Sequence, residues 1–181
     1  MGKTIGIIVG SLRKDSFNRA VARHVASLAP EEIDTRFIDI SALPFYNQDL
    51  EETPPPAWLK LREEVRSADA LLFFTPEYNR SIPAVLKNAL DVGSRPYGQN
   101  SWSGKPGGIV SVSPGAIGAF GSNHHLRQTL TCLNVYTLQQ PEAYLGHIDS
   151  SVDEQGQVVS ENTRKFLQAY MDAFVAWMGR F

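Results

Sequence analysis

The chain has 181 residues, 43% hydrophobic and 20% charged, with a formal net charge of −2 at pH 7. That length allows a proper core, and the near-neutral balance excludes the broad basic field of a nucleic-acid binder. A single cysteine, Cys132, excludes an intramolecular disulfide and a cysteine-built zinc cluster, and no run approaches the ~18 apolar residues of a membrane span.

Residues 4–9, TIGIIV, form an apolar run that predicts a first strand. The run begins without a signal-peptide layout, and with the lone cysteine this makes the cytoplasm the expected compartment. A polar loop headed by Gly10 leads into a helix predicted over 18–28, and a second strand follows at 35–39. Pro54-Pro55-Pro56 is a loop before a helix at 58–67, and ALLFF at 70–74 suits a strand covered on both faces. Next come a helix at 83–92 with Pro83 in its first turn, a strand at 108–112 and a helix at 123–133. Cys132, at the apolar end of that helix, is expected to be a buried, inert thiol. A fifth strand is predicted at 135–138 and a last helix at 161–178. The helical stripe Phe166, Leu167, Tyr170, Phe174, Trp177 and Met178 marks that helix as core-facing.

Five strands alternating with five helices, without repeats or low-complexity tracts, predict one α/β domain over residues 1–181. The expected sheet is parallel and five-stranded, in the order 2-1-3-4-5, with helices on both faces. Ligands then bind beyond the carboxyl ends of strands 1 and 3, where the winding reverses.

Three unusual loops fall at that point. In the first, Ser11, Ser16 and Asn18 offer neutral donors, Arg13 offers a charged fork, and the following helix offers its N-terminus, together the makings of an anion seat. Ser16 or Asn18 could equally serve as an ordinary N-cap. No Rossmann G-x-G-x-x-G is present. Gly98–Lys105 fails as a Walker A loop, having five residues between its glycines and Pro106 after its lysine. A mononucleotide phosphate therefore fits better than a dinucleotide or a triphosphate. The second loop, Pro76-Glu77-Tyr78-Asn79, offers an aromatic face and amides to a flat heterocycle. The third runs from Ser111 to Gly118, and its Gly115 and Gly118 let backbone approach a ligand closely.

Together GSLRKDSFN, TPEYNRSIPAVLKNALD and SVSPGAIG resemble the NADPH-dependent FMN reductases, the group that includes quinone and chromate reductases. The likeness extends to His125-Leu126-Arg127-Gln128 and Gln140-Pro141-Glu142. It implies a flavodoxin-like fold holding FMN non-covalently, with NAD(P)H as co-substrate. Ser11, Arg13, Ser16, Phe17 and Asn18 would hold the phosphate. Pro76, Glu77, Tyr78 and Asn79 would meet the ribityl chain and ring, and Ser113 and Gly115 would close on the ring. The implied reaction is ping-pong hydride transfer to a small-molecule acceptor such as a quinone, with free flavin, azo compounds and chromate also open. No catalytic side chain and no metal is nominated. Homodimers or homotetramers are usual in the family, with Arg80, Gly121 and His124 near the substrate mouth. Tyr97 and Trp102, in the loop over 93–106, are candidate subunit contacts, and Arg80 or Arg127 could meet a 2′-phosphate.

Rival chemistries fit less well. Cysteine–histidine catalysis would pair Cys132 with His24, His124, His125 or His147, but an inert thiol is the expected reading of a cysteine at the apolar end of a helix. Ser113 lacks the first glycine of G-x-S-x-G, and the adjacent His124 and His125 do not share a helix face as metal ligands would. A flavodoxin-like electron carrier is the alternative from another class, although such carriers usually show a strongly acidic face that this chain lacks.

Overall fold

A computed structural model describes residues 2–181. Its strands are β1 (Lys3–Val9), β2 (Ile33–Ile38), β3 (Ala70–Thr75), β4 (Pro106–Val112), β5 (Tyr136–Thr137) and β6 (Ala143–Leu145), and its helices are α1 (Phe17–Ala26), α2 (Pro56–Arg66), α3 (Ala84–Gly93), α4 (Phe120–Cys132) and α5 (Glu161–Met178). Every ladder is parallel, in the order β2-β1-β3-β4-β5, with β6 also pairing β4. The expected winding is therefore the observed one.

The period of two along each strand sorts side chains into two cores. Ile5, Ile7 and Val9 of β1, Leu72 and Phe74 of β3, and Val110 of β4 pack with α1 and α5. Ile8, Leu71, Phe73 and Ile109 point the other way, against α2, α3 and α4. In α5 the buried set is Leu167, Tyr170, Met171, Phe174 and Met178, while Phe166 and Trp177 lie at the edge of the stripe. Tyr170 donates its hydroxyl to Ile109 O at 3.0 Å, so the buried phenol of this face has a polar partner.

Four expectations are corrected. The fifth strand is split: β5 pairs β4 only at Pro106↔Tyr136 and Gly107↔Thr137, and β6 rejoins it at Val110↔Ala143. Pro141, in the gap, has no N–H to give a ladder. Pro83 is the N-cap of α3 rather than a residue of its first turn, with ψ at 146°. The proline within a first turn is Pro56, which opens α2. Cys132 is exposed, because it lies about 200° around α4 from buried Leu130 at ~100° per residue. Trp102 is fully buried, donating Nε1–H to Leu90 O at 2.9 Å, so only Tyr97, 90% exposed, could reach another subunit.

His24 on α1 is partly buried, and that burial, aided by the charge of Arg164, holds its pKa below the usual 6.5. A proton then binds the unfolded chain more readily than the folded one, so stability is complete above about pH 6.5 and declines as pH falls below it. Thermal melts should show this acid slope, and His24→Gln should flatten it.

Among the described residues no helix is long and apolar enough to cross a membrane.

Candidate functional site

The loops after β1, β3 and β4 meet at the carboxyl end of the sheet. Gly10 N–H donates to Phe74 O at 2.8 Å, which ties the first loop to the end of β3. Ser16 caps α1, its Oγ accepting from Arg19 N–H at 3.2 Å, while Asn18 is 4% exposed and donates weakly to Val112 O at 3.5 Å. The side-chain oxygen of Asn18 is buried without a partner. The first N–H groups of α1 point into the same loop, as at any helix start. Arg13 lies over the Phe17 ring, 5.9 Å from its centroid, which steadies a cation at the mouth.

The second loop is a tight turn. Tyr78 and Ser81 exchange backbone hydrogen bonds at 2.9 and 3.0 Å, and the two residues between them, Asn79 and Arg80, both have positive φ, 51° and 65°. That is the mirror-image turn which normally takes glycine, so something outside the turn must hold it. Glu77 does this. One carboxylate oxygen accepts from Arg80 Nη1 at 2.6 Å and the other from Ser122 N–H at 3.0 Å. Ser122 is in the first turn of α4, whose own N-cap, Ala119, supplies no side-chain bond, so Glu77 caps a helix 45 residues away. Ser81 Oγ shares a 2.7 Å hydrogen bond with His125 Nδ1 on the same helix. Tyr78 is left 51% exposed at the tip.

Removing a helix-capping acceptor costs about 1 kcal/mol, whereas an exposed ion pair contributes a few tenths. Glu77→Ala should therefore lower the melting temperature by roughly 3 °C, and Arg80→Ala by less. Paired melts check that order.

In the third loop Ser113 Oγ accepts from Gly115 N–H at 3.0 Å, and Ser113 N–H donates to Leu145 O at 3.0 Å. Beyond it, Phe120, His124 and Tyr144 form an aromatic cluster with ring centroids 4.2 to 5.9 Å apart, and His124 Nε2 shares a 2.8 Å hydrogen bond with the Tyr144 hydroxyl. Burial first, then Glu142, pushes the Tyr144 pKa up to about 12, so that hydroxyl is protonated at neutral pH.

The loops enclose a cavity of about 170 Å³ lined by Ser11, Arg13, Ser16, Phe17, Asn18, Pro76, Glu77, Tyr78 and Ser113, together with Val112 and Pro114. Asn79 and Gly115, also named from the sequence, stand outside its lining. Across Tyr78 a second, more apolar cavity of about 390 Å³ opens between Gly10, Leu12 and Asn88, walled by Leu43 and Phe45. Sequence reasoning missed that wall, because nothing in LPFY distinguishes it from any apolar loop. Of the cations considered for a 2′-phosphate, Arg80 is paired with Glu77, and Arg127 is engaged with Asn123 Oδ1 and Leu138 O, both at 3.0 Å.

A doubly wound sheet with buried serines, an unpartnered amide oxygen and a helix N-terminus at its switch point is a mononucleotide-binding protein of the flavodoxin-like class. Residues 4–150 match the family model described as NADPH-dependent FMN reductase, and the chain belongs to that family. It is 54% identical over 176 residues to a quinone reductase of Pseudomonas putida, covering 97% of this chain and 94% of that one. It is 48% identical over 178 residues to a 2-hydroxy-1,4-benzoquinone reductase of a Burkholderia species, covering 98% and 97%. Among solved structures, FerB of Paracoccus denitrificans, a flavoenzyme NAD(P)H:(acceptor) oxidoreductase, superposes with a TM-score of 0.92 at 42% identity, covering 98% of each chain.

The lining of this cavity suits the polar end of FMN on this structure's own terms. Ser11 and Ser16 are buried polar groups at a helix start, and the Asn18 side-chain oxygen lacks a protein partner. A buried amide oxygen without a partner costs about 1–3 kcal/mol, and a ligand hydroxyl donating to it would relieve that cost.

Proposed function

We propose that this chain is an FMN-dependent oxidoreductase that takes electrons from NAD(P)H and delivers them to a quinone or a similar small acceptor. The observation that carries this reading is the convergence of Ser11, Arg13, Ser16 and Asn18 with the Tyr78 turn around one cavity at the switch point. FMN, when bound, supplies the hydride chemistry, and the protein supplies orientation, electrostatics and exclusion of water. Arg13, Ser11, Ser16 and the N-terminus of α1 hold the phosphate in this reading. The clamped turn would present Tyr78 to the ring, and the Ser113 loop would close on it. No side chain is assigned as acid or base. The purified protein should oxidise NADPH steadily when benzoquinone is added, without another reductase. No oxidation with either nicotinamide would refute the assignment.

The same reading takes the whole chain as one flavin-binding domain working in the cytoplasm. It also takes the chain as self-associating through the exposed apolar face where Leu12, Phe45 and Tyr78 are 54%, 75% and 51% exposed. Such a face, beside a cavity open to solvent, is what a second subunit would cover. Light scattering should give at least a dimer for the wild type and a monomer for Phe45→Glu. A wild-type monomer at concentrations where turnover is full would contradict self-association.

A further inference from the structure

On the far side of the first loop lies a groove of about 380 Å³ that has no role in the account so far. It shares Arg13, Ser16 and Phe17 with the cavity assigned to FMN, so the two sites are separated only by the loop itself. One wall carries Lys14, Arg19 and Arg23 together with Asp15, and the other carries Asp149, Asp153 and Glu154 from the segment before α5.

Two features leave cations of this wall open to an anion, although Arg19 also borders Asp39. None of the ion pairs among the described residues involves Lys14, Arg19 or Arg23, although three carboxylates stand across the groove. Arg19 and Arg23 are also four residues apart on α1, where like charges repel, and the first turn of that helix holds no acid. A helix start favours negative charge, yet the first turn of α1 carries Arg19, while Arg23 lies in its last turn. A bound anion would offset both effects. The acid wall suits a different part of the same molecule. Asp153 uses one carboxylate oxygen on Gln157 N–H at 2.7 Å, which leaves the second for a hydroxyl or amino donor.

We infer that this groove binds the adenosine-phosphate end of the nicotinamide dinucleotide, with the 2′-phosphate on Lys14, Arg19 and Arg23. Ribose hydroxyls and the adenine amino group face Asp149, Asp153 and Glu154. The inference rests on the oxidoreductase reading, because a dinucleotide whose nicotinamide reaches the flavin ring extends naturally back over the phosphate loop. It assigns the coenzyme preference to the outer face of α1 rather than to Arg80 or Arg127, which are already engaged.

The test is calorimetric titration of the FMN-loaded protein with 2′,5′-ADP and with 5′-AMP. The expected result is tighter binding of 2′,5′-ADP. Its affinity should fall about five- to tenfold in Arg23→Ala, with a similar loss in Lys14→Ala, as befits a charged contact partly open to solvent. Lys87→Ala, on the opposite face of the sheet, should leave that affinity unchanged. Reduced nicotinamide mononucleotide, which has no adenosine, should show a higher KM than NADPH, and Arg23→Ala should narrow the gap. If NADPH bleaches the bound flavin but 2′,5′-ADP binds all variants alike, or no more tightly than 5′-AMP, the groove assignment is wrong and the oxidoreductase reading stands. A flavin that stays oxidised under NADPH would overturn both.

Discussion

Arg13→Ala is expected to weaken FMN binding by about 30- to 150-fold, the equivalent of losing one charged hydrogen-bonding partner. The guanidinium lies at the cavity mouth against Phe17, while the other polar groups of the loop, Ser11, Ser16 and Asn18, are neutral. No second side-chain charge in that lining can replace it. Arg13→Lys should lose less, since the charge remains and only the planar fork is removed. Riboflavin, which lacks the phosphate, should bind the wild type and Arg13→Ala almost equally, separating phosphate recognition from damage to the fold. Calorimetric titration of the apo-protein measures all three. An unchanged FMN affinity in a folded Arg13→Ala variant would remove Arg13 from the site.

Gly118→Ala should be the most damaging small substitution near the ring loop. Gly118 has φ of 57°, and a Cβ built there lies 2.5 Å from Tyr144 C and 2.8 Å from Leu145 N. Those are backbone atoms of β6, held in register against Ser111 and Val112 of β4, so they cannot move aside without opening that ladder. The Gly118 carbonyl also accepts from Ser111 Oγ at 2.7 Å, which fixes the position from the other side. A left-handed alanine costs about 1–2 kcal/mol and overpacking about 1–3 more, so the melting temperature should fall by roughly 6–15 °C. A shift within 2 °C or so would show that the loop yields more easily than this packing implies.

The sheet was legible because ALLFF and GGIVSV are buried on both faces, leaving continuous apolar runs that only a covered parallel strand explains. The seat in the first loop was legible for a related reason: serines, an arginine and an asparagine are unusual directly after such a strand. The split fifth strand was not legible. Its halves pair over two and three residues, too few for periodicity to register, and the rejoining half depends on contacts with β4. Glu77 reads locally as a loop carboxylate, and its task of capping α4 exists only after the chain has folded. Trp102 and Cys132 failed in opposite directions for one reason. Exposure at a loop or a helix end is decided by which neighbour packs there, and local pattern does not encode that. The groove behind α1 was hidden too, because half of it comes from residues more than a hundred positions further along.

The most direct test of the central claim is an anaerobic titration of the FMN-loaded protein with NADPH, followed by a quinone, with no other protein present. The account predicts that one equivalent of NADPH removes the oxidised flavin's visible absorbance and that one equivalent of quinone restores it. A flavin that stays oxidised until a separate reductase is added would contradict the account and mark the chain as an electron carrier.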